Sequence, residues 1–135
     1  MKSLKAAKIL EILPAQQMSD LKIFHHHIYE YKKGIRNLIL TTERALHREH
    51  IEARLASEDI DYVVQVVTDE KINIFFGAKD CVDVVRTFAE KRLNELTCEQ
   101  DFILGIMLGY DGLKQCVRYL KLKGSTLLLK RIGDR

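Results

Sequence analysis

The 135-residue sequence has no tryptophan, only one proline and seven glycines, and no long uninterrupted hydrophobic run. So little proline and glycine excludes a low-complexity disordered chain. The longest uncharged apolar run, residues 102–110, is far shorter than the roughly 18 residues of a membrane span and suits a buried helix. A large excess of one charge is also lacking: the net charge is +3, too small to indicate a nucleic-acid or membrane partner.

Cysteine is scarce as well, with only Cys81, Cys98 and Cys116 in the chain. Their odd number and the lack of a CxxC motif exclude thioredoxin-like chemistry and zinc-ribbon sites. We expect three reduced thiols that act as small buried hydrophobes, as is typical of the cytoplasm. The alternative is a reactive thiol, for which Cys81 is placed near the start of a predicted helix.

The hydrophobic pattern predicts an α+β protein with a three-stranded sheet. β-branched runs predict strands over residues 35–42, 62–68 and 72–76, and the short polar turn between the last two predicts an antiparallel hairpin. Apolar residues at three- and four-residue spacing predict the main helices. About five or six helices are expected: five over residues 21–33, 43–56, 78–96, 98–108 and 113–123, and residues 1–13 as either a short sixth helix or a mobile extension.

Local signals predict several helix ends. Gly34 is expected to end the first helix, Thr42 to cap the second and Gly124 to end the last. Thr97 with Gln100 forms the pattern of a capping box.

The predicted core order is β-α-β-β-α, which is most of a ferredoxin-like fold without its last strand. A right-handed crossover places both main helices on one face of the sheet. The valine-rich hairpin is apolar on both sides, so the other face must be covered by the remaining helices or by a second subunit.

The run FHHHIYEYKKGIRNLILTT at residues 24–42 resembles a small bacterial family, Domain of Unknown Function twenty-twenty-three. NIFFG at 73–77, LGYD at 108–111 and QCVRY at 115–119 are similar to it too. The resemblance covers roughly residues 19–123 of a single domain, 1–135, and leaves 1–18 and 124–135 as extensions. It implies three strands and five helices, a homodimer and no assigned activity. The resemblance also implies a gene beside one for a flavodoxin, and with it a redox-related role.

The first candidate site is the histidine run on the first predicted helix, with His26 and Glu30 four residues apart on one face. The two could supply metal ligands, but the other two ligands of a structural zinc site cannot be named and HExxH is absent, so we predict no metal. The alternatives are a buried, hydrogen-bonded histidine, a subunit interface or a pH-sensitive role. The candidate residues are His25, His26, His27, Tyr29 and Glu30.

A second candidate, the basic cluster Lys32, Lys33 and Arg36, could bind an acidic protein surface or a phosphate. The C-terminal end of the helix also explains the two lysines. If an acidic flavodoxin is the partner, this cluster is the first candidate surface.

The third candidate lies around the last predicted turn and helix. It is either a side-chain network that braces two helices or a pocket for a small ligand. Its residues are Tyr110, Asp111, Gln115, Arg118 and Tyr119.

His47 and His50 are expected on a solvated polar helix face, and no nucleotide-binding or catalytic motif is found. The sequence therefore favours a non-enzymatic, cytoplasmic, homodimeric protein without a cofactor, which acts by binding another protein. The alternative is a small enzyme or a ligand- or metal-binding protein that uses the His25–Glu30 or the Tyr110–Tyr119 cluster.

Overall fold

Three segments rich in β-branched and aromatic residues form an antiparallel sheet in the order β1-β3-β2. This computed structural model describes the backbone of residues 20–133 and the side chains of residues 20–124. The strands are β1 (Leu38–Arg44), β2 (Asp61–Val66) and β3 (Lys71–Gly77). The predicted β2–β3 hairpin is confirmed, and β3 also pairs with β1. The chain divides into two compact units, residues 1–90 and 91–135, and the sheet belongs to the first.

One face of the sheet carries the hydrophobic core of the first unit. Register places Ile39 and Tyr62 on either side of Phe76, so these side chains share this face. Two helices pack on it: α1 (Lys22–Lys32) and α2 (Arg48–Ser57). The buried cluster joins strand and helix side chains, among them Phe24, Ile28, Ile51, Leu55, Ile74 and Phe76.

The opposite face is crossed by a ladder of polar side chains. The Thr42 hydroxyl donates to Asn73 at 2.6 Å, and the Asn73 amide donates to Gln65 at 3.0 Å. Gln65 in turn donates to the carbonyl oxygen of Ala89 at 2.9 Å. Ala89 follows helix α3 (Lys79–Arg86), which contacts β2 and β3. No side chain of α3 belongs to the buried cluster that α1 and α2 form on the other face. Helices α2 and α3 therefore lie on opposite faces, and not together as the crossover argument predicted.

Several predicted ends also differ. Thr42 lies within β1, and a 3₁₀ turn (Ala45–His47) precedes α2, so Thr42 caps no helix. The helix expected over residues 78–96 ends at Arg86, because the chain turns there to bury Phe88 and to present the Ala89 carbonyl to Gln65. A second 3₁₀ turn (Leu93–Glu95) follows.

The second unit is a pair of helices, α4 (Cys98–Met107) and α5 (Gly112–Gly133). The predicted capping box is confirmed, because Thr97 and Gln100 each bond the other's backbone N–H. The expected stop at Gly124 is wrong: α5 runs through it, because the lysines and leucines at 120–123 and 127–130 are good helix formers that outweigh one glycine. No described helix has the length and hydropathy needed to cross a membrane.

Three glycines, Gly34, Gly77 and Gly109, have a positive φ that other residues avoid, and the first two shape the first unit. Gly34 has φ +77° and ends α1 as predicted, with its N–H donated to the Tyr31 carbonyl. Gly77 has φ +148°, and a Cβ there would collide with the backbone carbonyl of Asn37. The three cysteines form no disulfide, but none is buried, which corrects the expectation of small core hydrophobes: Cys81 and Cys98 are half-buried and Cys116 is exposed.

The extension expected over residues 1–18 lies outside the described residues. Of the extension over residues 124–135, only the helical backbone to residue 133 is described, together with the Gly124 position.

Candidate functional site

The histidine run does not form one site, because its three rings point to different surroundings. His25 faces α2, where its Nδ1 lies 3.2 Å from Arg54 Nη1 and its ring meets the edge of His50 at 5.8 Å. Burial, with the positive charges of Arg54 and His50 next, lowers the pKa of His25. This ring is a packing contact between α1 and α2 that favours neutral imidazole.

His26, His27 and Arg36 all approach one carboxylate, that of Glu30. His26 Nε2 lies 3.2 Å from Glu30 Oε1, although the His26 side chain is 66% exposed. The Nδ1 atom of His27 is 3.9 Å from the same oxygen, and Arg36 Nη1 is 3.7 Å from Oε2. Burial is the largest cause of a lowered pKa at His27, with Glu30 acting in the opposite direction. Glu30 is therefore a shared partner of two imidazoles and one guanidinium.

The metal alternative finds no support in this arrangement. Across residues 20–124, no three His, Cys, Asp or Glu side chains come close enough together to hold a metal ion. His26 and Glu30 are a pair of possible ligands only, and Glu30 is already in contact with His27 and Arg36.

The basic cluster at the end of α1 is partly neutralised. Lys32 Nζ lies 2.7 Å from Glu58 Oε2, a carboxylate that also pairs with Arg54 at 3.3 Å. Lys33 lies over the ring of Tyr29, 5.4 Å from its centre. With Arg36 beside Glu30, this cluster offers less free positive charge than its sequence indicates.

The expectation that His47 and His50 are solvated is wrong. The 3₁₀ turn before α2 rotates both rings inward, and the His47 side chain is only 1% exposed, with its Nε2 3.5 Å from Asp20 Oδ2. Beside it, burial raises the pKa of Glu43, which accepts a 2.8 Å hydrogen bond from Thr41. The sequence analysis missed Asp20 and Glu43, because β1 begins three residues later than predicted and continues two residues further, to Arg44, so that Glu43 lies in the strand near His47.

Polar side chains hold the two helices of the second unit together. Arg118 donates to both carboxylate oxygens of Asp101, at 2.8 and 3.0 Å. The hydroxyl of Tyr119 and the ammonium of Lys123 both donate to Glu99, at 2.8 and 3.0 Å. We call these four hydrogen bonds the α4–α5 clasp. The bond from Lys123, and next the bond from Tyr119, lower the pKa of Glu99.

The rest of the third candidate cluster is dispersed. Asp111 caps α5 by accepting the Lys114 backbone N–H at 3.0 Å. Gln115 lies against Gly105 of α4, where a side chain would displace it. Tyr110 has an exposed side chain, and its backbone N–H donates to the Gly105 carbonyl at 3.2 Å. The structure thus brings Gln115, Arg118 and Tyr119 to α4, and the arrangement corresponds to the bracing network rather than to an enclosed pocket.

The second unit also has an open groove of about 490 Å³ between α4 and α5. Its lining is almost entirely apolar apart from Glu99 and the Tyr119 hydroxyl. The lining residues are Glu99, Phe102, Ile103, Cys116, Tyr119 and Leu120.

The outer side of α5 is the most exposed apolar surface of this unit. Leu113, Val117 and Leu120 are 75%, 47% and 67% exposed, at steps of four and three residues that place them on one side of a helix. We call these three residues the α5 seam. The spacing of these residues can be read from the sequence, but periodicity does not show whether an apolar stripe is covered.

Sheet and helix pair together define a small α+β protein whose polar clusters serve mainly to hold its helices. The model of one family, described as a protein of unknown function (DUF2023), matches residues 22–122. The chain belongs to this family, which confirms the resemblance seen in residues 24–42. No curated protein matches the sequence.

Proposed function

We propose that this protein is a non-enzymatic, cytoplasmic protein-interaction module that works as a homodimer and binds an acidic protein such as a flavodoxin. The observation that carries the proposal is the exposed α5 seam, Leu113, Val117 and Leu120. Solvent-exposed apolar side chains on a helix that hydrogen bonds fix in place are typical of a surface that another protein covers.

The polar clusters support a binding role over catalysis. The imidazoles of the α1 run contact Arg54, His50 and Glu30, contacts that position helices. Arg118 and Tyr119, the charged and aromatic members of the third cluster, are engaged by Asp101 and Glu99.

The homodimer has its best support at strand β2, an edge strand of the sheet. Val66 and Val67, at the end of this strand, are exposed. An edge strand with exposed valines favours pairing with a second copy across a two-fold axis.

Charge distribution supports an acidic partner. Residues 91–135 contain nine Lys and Arg against five Asp and Glu, whereas residues 1–90 contain thirteen against fourteen. The positive charge of the chain therefore resides in the second unit, and an acidic protein would be attracted there.

Multi-angle light scattering from low to high micromolar protein tests the homodimer. We expect a mass of twice 15.7 kDa, reduced to the monomer mass by Val66→Glu. Ile35→Glu, the same apolar-to-acidic change at a residue 67% exposed against 64% for Val66, is the matched control and should leave the dimer intact. A monomer at the highest concentration would remove this part of the proposal.

Titration with a purified flavodoxin tests the acidic partner. Binding should weaken steeply as salt is raised, because exposed charges are screened. No binding at low salt, or binding that is indifferent to salt, would contradict an electrostatic partner.

A second candidate function is the binding of a small apolar molecule in the α4–α5 groove, which the 490 Å³ volume and the rings of Phe102 and Tyr119 favour. Native mass spectrometry of protein purified from cell extract without chelator tests it. A retained small molecule that is lost in Phe102→Ala would place this function first, and a bare protein would remove it.

A further inference from the structure

Helix α5 turns its polar side toward α4 and its apolar side away. Gln115, Arg118 and Tyr119 contact α4, and at 100° per residue they lie largely opposite the α5 seam. Because the clasp contacts α4 from the polar side of α5, the α5 seam is already exposed. A partner can therefore bind it without a rearrangement of the two helices.

Positive charge borders the seam. Lys114 and Lys121 are seven residues apart and follow one edge of it. Neither ammonium has an ion-pair partner among the described side chains, because Lys123 and Arg118 occupy the Glu99 and Asp101 carboxylates. Between residues 112 and 124, α5 contains four cations and no carboxylate.

This charge pattern opposes a second copy of α5 as the occupant. A two-fold antiparallel pair would set each lysine-bordered edge against its own copy, and like charges at such positions are destabilising. A parallel pair would face the lysines with Cys116 and Lys123, which supply no carboxylate either. The complementary occupant has apolar residues at the same spacing and acidic residues beside them.

We propose that the α5 seam binds an amphipathic, acidic helix of the partner protein. Apolar side chains of that helix pack on Leu113, Val117 and Leu120, and its carboxylates pair with Lys114 and Lys121. Leu120 also borders the α4–α5 groove, so the helix can bury a further side chain beside Ile103. This inference rests on the proposed function, since it specifies the surface and the partner chemistry of the same interaction.

Two synthetic helix-forming peptides test the inference with the full-length protein. Both have leucine at the a and d positions of a heptad; one has glutamate and the other lysine at e and g. Fluorescence anisotropy of the labelled peptides should give roughly tenfold tighter binding of the glutamate peptide, from two lysines that each attract one peptide and repel the other.

Charge reversal separates the seam from general attraction. Lys114→Glu with Lys121→Glu should reverse the peptide preference, and neither change removes a contact that holds the helix pair. Lys22→Glu with Lys71→Glu, two exposed lysines of the first unit, is the matched control and should leave the preference unchanged. Val117→Ala with Leu120→Ala should weaken both peptides, because it removes apolar contact without changing charge.

Three outcomes would overturn the inference: equal affinity for both peptides, a preference that survives Lys114→Glu with Lys121→Glu, or no binding. Conversion of the dimer to monomer by Val117→Glu would also overturn it, because a second copy would then cover the seam. Light scattering and the flavodoxin titration test the proposed function separately, so a dimer that ignores both peptides refutes only this inference.

Discussion

The two units of the molecule use apolar and polar side chains in opposite ways. In the first, Phe24, Ile74 and Phe76 are buried between the sheet and two helices, and the ion pairs lie around them. In the second, hydrogen-bonded ion pairs hold α4 to α5 while Leu113 and Leu120 remain exposed. Burial of apolar surface stabilises a unit on its own, whereas exposed ion pairs contribute little. The contrast teaches that the first unit buries its apolar side chains in its own core, whereas the described part of the second leaves a continuous apolar stripe exposed.

The largest expected effect comes from truncating a buried apolar side chain of the first unit, compared with the same kind of truncation on the α5 seam. Phe76→Ala should lower the free energy of unfolding by about 3–5 kcal/mol, because the ring is fully buried against Phe24 and leaves a cavity. Leu113→Ala, a comparable truncation on the α5 seam, should change it by less than about 0.5 kcal/mol. Urea unfolding followed by circular dichroism measures both.

If Phe76→Ala does not fold, Ile74→Val is the milder substitution, with an expected loss of about 0.5–1.5 kcal/mol. A loss at Leu113 equal to that at Phe76 would show that the seam is covered within the free chain.

The same substitution should act with opposite sign in the two units. Gly77→Ala places a Cβ against the Asn37 carbonyl at φ +148° and should cost about 2–3 kcal/mol. Gly124→Ala lies within α5 in open space and should stabilise by up to about 1 kcal/mol. Thermal unfolding of both variants compares them directly. Destabilisation by Gly124→Ala would indicate that a backbone approaches α5 there.

Local patterns predicted the local features of this fold. Three strands, the β2–β3 hairpin, the turn at Gly34 and the Thr97 capping box each depend on a few neighbouring residues. The position of α3 on the second face was not predictable, because it depends on Gln65 and Ala89, which are 24 residues apart.

The candidate site followed the same rule. Spacing alone placed Gln115, Arg118 and Tyr119 on one side of a helix, and they meet α4 there. The burial of His47 was missed, because a 3₁₀ turn sets its direction and the sequence predicted a continuous helix.

A smaller effect is expected in the pH dependence of stability, and it comes from His25 of the first unit. Because burial lowers the folded-state pKa of His25, the unfolded chain binds more protons below its ordinary value of 6.5. The contribution of His25 to stability is thus full above pH 6.5 and is lost as the pH falls through the folded pKa. His25→Gln, which can still accept from Arg54, should reduce this loss by less than about 1 kcal/mol, since the ring is only half-buried.

Urea unfolding from pH 7.5 to pH 5 measures the slope of stability with pH. Ile23→Gln, an exposed position without an ionisable group on the same helix, is the matched control and should leave the slope as in the wild type. Equal slopes in the wild type and His25→Gln would contradict a neutral, packed imidazole at this position.

The smallest effect is expected at the α4–α5 clasp. Arg118→Ala removes both hydrogen bonds to Asp101, yet the Arg118 side chain is largely exposed, so the loss should be about 0.5 kcal/mol. Hydrogen exchange should detect it as faster exchange of amides in α4 and α5, with the sheet amides unchanged. Lys121→Ala is the control, because its ammonium has no ion pair among the described side chains. If sheet amides exchange faster as well, the clasp stabilises the first unit too. The two units would then not differ in stability as the comparison above states.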